Sequence, residues 1–423
     1  METRLSDEFR DTAVGHTADS ILRACVHCGF CLATCPTYQV LGDELDGPRG
    51  RIYQIKQVLE GARPTRETQL HLDRCLTCRS CETTCPSGVQ YGRLLDVGRA
   101  VVDARTQRPP GERLSRWILR EGLSRPWLFA AALGMGRALS GLLPQRLRAK
   151  LGKRRPAGPW PAQSHGRKVL LPTGCTQPSI SPPIDSATAR VLDAVGLQVL
   201  PVRGSGCCGA IRQHLSDQPG ALEQCRSNID AWWPLVKSDA VEAILVNASG
   251  CAAMVKEYAQ LLRDDPDYAE KAERVVQLLR DPVELLAPEL DALSNHLMAP
   301  ATPRVAFHPP CTLQHALGIR GEVEKLLTAL GAELVPVADA HLCCGSAGTY
   351  SLLQSEISES LRARKLDALL HHQPQMILSA NIGCIAHLQA ATRIPVRHWI
   401  EWVDAALKGP RLRMSQTGKK GVE

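Results

Sequence analysis

The chain of 423 residues carries a formal net charge of +7, with 44% hydrophobic, 22% charged and only 4% aromatic residues. This length is sufficient for two or three domains, each with its own core. So few aromatic rings leave little surface on which nucleic-acid bases could stack, and the modest charge favours an acidic partner only weakly, so we expect no nucleic-acid ligand.

The first twenty residues alternate charges and contain no apolar segment of the kind found in secretory signals, which predicts a cytoplasmic protein. The apolar stretch 127–136 is too short to cross a bilayer. The chain has 17 cysteines. In a reducing compartment, so many thiols indicate metal or redox chemistry in preference to a disulfide framework.

Residues 1–105 are predicted to form a small helical domain that contains two cysteine runs of the same spacing. Both runs, 25–36 and 75–86, follow the pattern C-x2-C-x2-C-x3-C-P. One helix is predicted between them, beginning at Pro48 and ending near Gly61, and another at 90–104.

Three cysteines at i, i+3 and i+6 on a tight loop direct three thiolates into one small volume, which suits three irons of a 4Fe-4S cluster. In two-cluster ferredoxins the fourth cysteine of each run binds the other cluster. The predicted ligand sets are Cys25, Cys28, Cys31 and Cys85 for one cluster, and Cys75, Cys78, Cys81 and Cys35 for the second. Such crosswise binding would keep the two clusters close enough to exchange single electrons.

The alternative at these runs is zinc, which is usually held by two C-x2-C pairs and would leave the third close cysteine without a ligand role. The loops contain no general base and no sign of a substrate pocket. We therefore expect this domain to carry electrons and to leave substrate chemistry to another protein.

Residues 106–165 are predicted to be an irregular linker or docking segment, in which prolines interrupt two short helical stretches. A basic run, RLRAKLGKRR, occupies residues 146–155. This run could lie on anionic lipid beside the apolar stretch 127–143, which would give peripheral membrane contact. A solvated face or a subunit contact is the alternative.

From residue 166 short apolar runs alternate with amphipathic stretches, which is typical of β-α-β units. The pattern occurs twice and predicts α/β repeats at 166–299 and 300–405, followed by a disordered tail at 406–423. In each copy 31 residues separate the first cysteine from a Cys-Cys-Gly (CCG) sequence. The predicted fold class is α+β multidomain, with an N-terminal helical two-cluster ferredoxin domain followed by duplicated α/β CCG domains.

Each repeat places four cysteines just past predicted strands, at the edge where open parallel sheets bind ligands. They are Cys175, Cys207, Cys208 and Cys251 in the first repeat, and Cys311, Cys343, Cys344 and Cys384 in the second. Four such soft ligands suit a further iron-sulfur cluster or a metal such as zinc. The alternatives are free thiols with a subtler role, or buried cysteines that bind nothing.

Other features of the repeats are less specific. Cys225 matches neither repeat pattern and is expected in the core. The sequence GSGCCG, 204–209, fits the Gly-x-Gly-x-x-Gly nucleotide-binding pattern, but the second repeat retains only the CCG, which argues against a nucleotide site. His308 and His341 lie beside the second cysteine set and are candidates to tune it.

The segment PTYQVLGDELDGPRGRIYQIKQVLEG after the first run, CPSGVQYGRLLD in and after the second, and the paired CCG repeats resemble the iron-sulfur subunit of bacterial glycolate oxidase, also called glycolate dehydrogenase. The resemblance extends from about residue 20 to 405. Related CCG proteins such as heterodisulfide reductase subunits end each repeat with C-x-x-C, whereas Met254 and His387 replace the last cysteine here. Because one thiolate per site is missing, the unusual iron-sulfur cluster of those proteins cannot be transferred directly to this chain.

The resemblance implies that separate flavin-containing dehydrogenase subunits oxidise glycolate or another small 2-hydroxy acid, and that this subunit passes the electrons towards a quinone-type acceptor. The chain shows no convincing flavin site of its own, which fits this division. Peripheral contact would then place it on the inner face of the cell membrane.

Three competing functions remain open. One is the iron-sulfur subunit of another flavin-linked dehydrogenase, acting on lactate or glycerol-3-phosphate. Another is a thiol/disulfide redox enzyme like heterodisulfide reductase, with its chemistry at the CCG cysteines. The third is an assembly or regulatory module whose clusters never change redox state.

Overall fold

The structure is a computed structural model that describes residues 1–142, 151–152, 155–202, 204–297 and 303–407. Helices precede two four-stranded parallel sheets, which confirms the predicted fold class. None of the helices in the described ranges is both long and apolar enough to cross a bilayer. The predicted tail lies outside the described residues from 408 onwards.

The N-terminal region is helical. Its elements are α1 (Asp7–Arg10), α2 (Ala13–Ala24), α3 (Phe30–Ala33), α4 (Pro36–Leu41), a 3-10 turn (Glu44–Asp46), α5 (Pro48–Leu59), α6 (Arg66–Asp73), α7 (Ser80–Thr84) and α8 (Tyr91–Arg105). Pro48 occupies the first turn of α5, where its missing N–H costs nothing. Gly98 of α8 lets the two helices approach closely, since a Cβ there would lie 2.5 Å from Ile55 Cγ1.

The segment after this region is more regular than expected. It forms α9 (Pro110–Ser124), α10 (Pro126–Ala138) and a 3-10 turn (Ser140–Leu142). Prolines lie in the first turns of both helices, so they begin the helices instead of interrupting them. Most of the basic run lies outside the described residues, although Arg155 is described and pairs with Glu401 at 2.6 Å.

The first repeat is an α/β unit with one parallel sheet. Its elements are β1 (Arg167–Pro172), α11 (Gln177–Ile180), α12 (Pro183–Ala194), β2 (Leu197–Val202), α13 (Ala210–His214), α14 (Gln218–Lys237), β3 (Ala243–Leu245), α15 (Ser249–Lys256), α16 (Tyr258–Leu261), α17 (Ala269–Leu278), β4 (Leu279–Arg280), α18 (Pro282–Leu286) and α19 (Leu290–Asn295).

The second repeat follows the same plan. Its elements are β5 (Arg304–His308), a π-helical turn (Thr312–Leu317), α20 (Glu322–Ala329), β6 (Glu333–Leu334), α21 (Tyr350–Leu353), α22 (Ser355–Leu370), β7 (Met376–Ser379), α23 (Ile382–Gln389), β8 (Val396–His398) and α24 (Trp399–Leu407).

The strand orders are β2-β1-β3-β4 and β6-β5-β7-β8, and all pairings are parallel. In each sheet the second strand of the repeat pairs on one side of the first strand, and the third strand then pairs on its other side. The connections therefore diverge at the carboxyl ends of the strands beside β1 and β5, which opens a crevice there. The repeat cysteines all follow these strand ends.

The two repeats share one continuous apolar core, to which β1, β3, β5 and β7 all contribute. Helix α12 packs against α24 across the junction. Arg190 on α12 forms two 2.8 Å hydrogen bonds with Asp404 on α24, a paired geometry that fixes the relative orientation of the helices. The repeats therefore form a single body in which the two crevices hold fixed positions.

Candidate iron-sulfur sites

The two N-terminal cysteine loops have the same backbone conformation. In each, the second and fourth residues after the first cysteine have positive φ: His27 (57°) and Gly29 (84°) in one loop, Thr77 (52°) and Arg79 (59°) in the other. A left-handed backbone conformation at these two positions folds the loop tightly around its own thiols. This conformation is rare for residues other than glycine, so its repetition in both loops indicates a common constraint.

The first cluster site is the space lined by the predicted ligands Cys25, Cys28, Cys31 and Cys85, and by Cys81. Cys28 is exposed, whereas Cys25 is buried. Ile52 and Tyr91 form part of the wall. The structure thus brings together the three close cysteines of the first run and the last cysteine of the second.

The second cluster site is the space lined by Cys35, Cys75, Cys78 and Cys81, together with Arg51. Cys81, Pro48 and Tyr91 line both cluster sites, so the two spaces share a wall. Each predicted crosswise ligand set is therefore assembled around one space. The assignment of one cluster to each set stays a prediction, which iron and sulfide analysis tests.

The chemistry of these thiols fits iron binding. Burial, with the nearby Cys25 thiol adding to it, raises the pKa of Cys31 to about 11. Burial and neighbouring thiols also raise the pKa values of Cys78 and Cys81 well above the usual range. So many crowded thiols ionise together only if a cation compensates their charge, and iron supplies that compensation. The residues present therefore fit two 4Fe-4S clusters.

A buried ion network, which the sequence patterns did not indicate, supports the second cluster site. Asp46 and Arg51 are both nearly inaccessible to solvent. Arg51 donates hydrogen bonds to the His71 carbonyl at 2.7 Å, to Thr37 Oγ1 at 3.2 Å and to Asp46 at 3.4 Å. Arg74 also donates to Asp46, at 2.8 Å. The network joins both cysteine loops and places a guanidinium in the wall of the second cluster site.

In the first repeat the four predicted cysteines form a continuous row of thiol contacts, in the order Cys175, Cys207, Cys208 and Cys251. Hydrogen bonds from Cys175 and Cys208 lower the pKa of Cys207, so this thiol ionises most readily. Tyr258 OH donates to the Cys208 carbonyl at 2.9 Å and holds the CCG turn in place. The arrangement can hold a soft metal or remain as hydrogen-bonded thiols.

The second repeat arranges its cysteines in the same row: Cys311, Cys343, Cys344 and Cys384. The Sγ atoms of Cys311 and Cys343 are 4.0 Å apart. Gly345 takes the left-handed conformation, with a φ of 85°, and a Cβ there would lie 2.6 Å from the Ser358 carbonyl oxygen. Only glycine therefore permits this tight CCG turn.

The second-repeat cysteines are in contact with the second cluster site. Cys343, Leu76 and Tyr350 belong to one small buried cluster, against which Cys78 and Cys311 pack. Tyr350 OH donates a 3.0 Å hydrogen bond to the Arg74 carbonyl, which ties the second repeat to the N-terminal region. The second repeat therefore lies next to the N-terminal sulfur ligands.

The residues that replace the last cysteine of each repeat have packing roles in the structure. Met254 is buried, and its Cε lies 3.2 Å from the Cβ position that a side chain at Gly209 would occupy. His387 Nε2 and Ser358 Oγ are 3.2 Å apart, and Ser358 Oγ donates to the Gly345 carbonyl at 2.7 Å. Both residues therefore pack against the CCG turns or against a residue that holds them, and stabilise these turns.

The remaining candidates differ in exposure. His341 is exposed, whereas His308 is 1% exposed and lies against the second-repeat cysteines. Cys225, predicted to be a core residue, is fully buried on α14.

Comparisons with known proteins agree with this arrangement. A 4Fe-4S dicluster domain matches residues 21–89, and a cysteine-rich CCG domain matches residues 169–256 and 305–389. The chain is 54% identical over 410 residues to the glycolate oxidase iron-sulfur subunit of Escherichia coli (strain K12), covering 96% of this chain and 100% of the relative. It is 32% identical over 415 residues to the probable glycolate oxidase iron-sulfur subunit of Bacillus subtilis (strain 168), covering 91% of each. Lactate utilization protein A of Bacillus licheniformis is 26% identical over 222 residues, which is 52% of this chain and 90% of that protein.

Proposed function

This chain belongs to the family of glycolate oxidase iron-sulfur subunits, and from that premise we propose that it relays electrons from a flavin-containing partner that oxidises glycolate to glyoxylate towards a quinone-type acceptor. Two 4Fe-4S clusters, when bound, supply the one-electron redox chemistry. The chain itself holds these clusters, shields them from water and sets the charge around them. Substrate oxidation belongs to the partner.

The observation that carries this proposal is the contiguity of three sulfur-rich sites. The first and second cluster sites share the wall formed by Cys81, Pro48 and Tyr91. The Cys311 and Cys343 pair packs with Leu76 and Cys78, which line the second cluster site but are not among the residues that line the first. This arrangement of sites supports a relay in which electrons enter at the first cluster site and leave through the second.

The surface around the first cluster site suits the entry of electrons. Cys28 is exposed, and beside it Val26 and Phe30 are 66% and 61% exposed. Exposed apolar side chains next to a redox ligand provide a contact area for another protein. We therefore place the flavin-containing partner there.

Among the competing functions, glycolate oxidation has the strongest support. The relatives that match almost the whole chain carry the glycolate name, whereas the lactate utilization relative aligns with about half of it. In the second repeat a thiol/disulfide enzyme has little support, because Cys311, Cys343 and Cys344 all have pKa values raised well above the usual range. Such thiols are poor nucleophiles.

The proposal predicts both a metal content and a substrate response. The anaerobically purified chain should contain about eight irons and eight acid-labile sulfides, since each 4Fe-4S cluster carries four. In the complex that co-purifies with the tagged chain, glycolate should generate a reduced-cluster signal in electron paramagnetic resonance, and lactate or glycerol-3-phosphate should give less. Zinc in place of iron would refute the cluster assignment, and oxidation of glycolate by the isolated chain would refute the division of labour.

We also propose that the chain works in the cytoplasm, peripherally on the inner face of the cell membrane, through a docking face on α9 and α10. The docking face consists of the exposed apolar residues of these two helices and of the segment directly after α10: Leu114, Trp117, Ile118, Trp127, Met135, Leu139 and Leu142. Apolar side chains and tryptophans on a helical surface suit the boundary between lipid headgroups and acyl chains. The basic run 146–155 continues from this face in the sequence and would attract anionic lipid.

Vesicle binding tests the docking face. The protein should bind vesicles that contain phosphatidylglycerol more tightly than neutral phosphatidylcholine vesicles. The double variant Trp117→Ser/Trp127→Ser should weaken the binding by at least about tenfold, because each buried side chain contributes about 1.5–3 kcal/mol. The matched control is Leu352→Ser, which alters an exposed apolar residue of the second repeat. Equal binding by the double variant and the control would rule out the docking face as the lipid contact.

A further inference from the structure

The row of four cysteines in the second repeat has two ends with different neighbours. Cys311 and Cys343 lie together on the side of the second cluster site. Cys344 and Cys384 lie with His308, and the ligand atoms of these three residues are all within 4.8 Å of one another. Cys344, Cys384 and His308 are 1%, 3% and 1% exposed, so this second group is closed to solvent. The row of thiols therefore has a Cys311–Cys343 end beside the second cluster site and a Cys344–Cys384 end beside His308, with Cys343 and Cys344 in contact between them.

His308 is placed in this group by the backbone of the sheet. It is the last residue of β5 and pairs in register with Ser379 of β7, whose Oγ donates to the His308 carbonyl at 2.9 Å. Among the described residues, neither ring nitrogen of His308 has a hydrogen-bond partner. Burying a polar ring without partners costs about 1–3 kcal/mol. A metal ion bound to one ring nitrogen would remove much of this cost.

Two polar side chains lie beside the thiols of this group. Asn381 Nδ2 lies 3.7 Å from Cys384 Sγ, in position to donate a hydrogen bond to the sulfur. Lys365 is 3% exposed, and its ammonium interacts electrostatically with Cys344 and Cys384. Lys365 Nζ is anchored by hydrogen bonds to the carbonyls of Asp339 (2.7 Å) and Ala340 (3.3 Å). These contacts fix Lys365 and Asn381 beside the two sulfur atoms, so the positions of the thiols are held by the surrounding side chains.

The first repeat has no equivalent of His308 or of Lys365. At the position equivalent to His308, three residues before the first cysteine, it has Pro172. At the position equivalent to Lys365, 21 residues after the CCG cysteine pair, it has Ile229. The mixed donor set is therefore a property of the second repeat alone, although the two sheets have the same strand order.

We propose that His308, Cys344 and Cys384 form a mononuclear zinc site that is separate from the iron-sulfur sites. One imidazole nitrogen and two thiolates supply three of the four ligands of a tetrahedral Cys2His zinc site, and a bound water would complete it. The spacing of the three ligand atoms, all within 4.8 Å of one another, is compatible with zinc bond lengths of about 2.1 Å to nitrogen and 2.3 Å to sulfur. The ion would join the end of β5, the CCG turn and α23 behind the Cys311–Cys343 pair, and so hold that pair against the second cluster site.

Zinc content measures the site directly. The full-length protein, purified anaerobically and passed over a chelating resin, is expected to retain about one zinc per chain by mass spectrometry. His308→Gln and Cys384→Ser should each reduce the zinc at least fivefold, whereas His341→Gln, which changes an exposed histidine of the same repeat, should leave it unchanged. All four proteins should retain the same iron content, so a failure here is distinguishable from a failure of the iron-sulfur proposal.

X-ray absorption at the zinc edge of the unmodified protein tests the ligands without relying on a variant that folds. It should show a nitrogen ligand at about 2.0–2.1 Å together with sulfur at about 2.3 Å. A shell of four sulfur atoms would overturn the role of His308. Absence of zinc, with or without iron in excess of the two clusters, would overturn the site itself.

Discussion

Replacing Cys78 with Ser is expected to remove the cluster from the second cluster site and to halve the iron content, from about eight to about four atoms per chain. Cys78 lines that site and packs against the small buried cluster that contains Cys343, so its loss removes one of the four predicted thiolates of the site. Reduction of the partner flavin by glycolate should persist, because it happens on another chain. Reduction of a quinone-type acceptor should stop. Iron analysis, flavin absorbance and acceptor assays on the purified complex measure the three quantities.

Cys225→Ala is the matched control for the loss of one sulfur. Cys225 is fully buried but lies on α14, outside both cysteine runs and both CCG motifs. This variant should retain its full iron content and its acceptor activity, at a small cost in stability. If acceptor reduction survived in Cys78→Ser with four irons lost, electrons would not need the second cluster site, and the proposed relay would be wrong.

The parts of this molecule that follow from local rules were predictable from the sequence. Ligand spacing within each cysteine run is local, so the two loops could be recognised, and the structure brings the predicted sets together. The repeat of strand and cysteine spacing likewise predicted two parallel α/β units. The segment 106–165 was harder to interpret, because the sequence alone does not distinguish a proline that begins a helix from one that interrupts it.

Features that depend on tertiary packing were not predictable in this way. His308 was identified only as a residue near the second set, since its burial and its separation from Cys311 depend on how β5 pairs with β7. Arg51 looks in the sequence like an ordinary charged residue of an amphipathic helix. Its burial arises because α5 packs between the two cysteine loops, where Asp46, Thr37 and His71 receive its hydrogen bonds.

The Arg51→Met variant should therefore be strongly destabilised. Asp46 would lose one of its buried cationic partners, and the carbonyl of His71 would lose its hydrogen-bond donor. Breaking a buried ion pair on one side costs about 3–5 kcal/mol. In anaerobic thermal scans the loss of cluster absorbance should shift down by at least about 10 °C for a domain of this size. Because Arg51 lines the second cluster site, loss of its positive charge should also make the reduction potential of that cluster more negative.

Arg49→Met provides the comparison, because Arg49 lies two residues away on the same helix and lines the first cluster site. Its side chain is 34% exposed and pairs with the 42% exposed Glu44, so its loss should cost less than about 1 kcal/mol. The two variants remove the same charge from the first turn of α5 and differ mainly in burial. Equal thermal shifts would show that net charge decides the effect. A thermal shift confined to Arg51→Met, together with a lower reduction potential of the second cluster, would show that the buried guanidinium both stabilises the second cluster site and sets its charge.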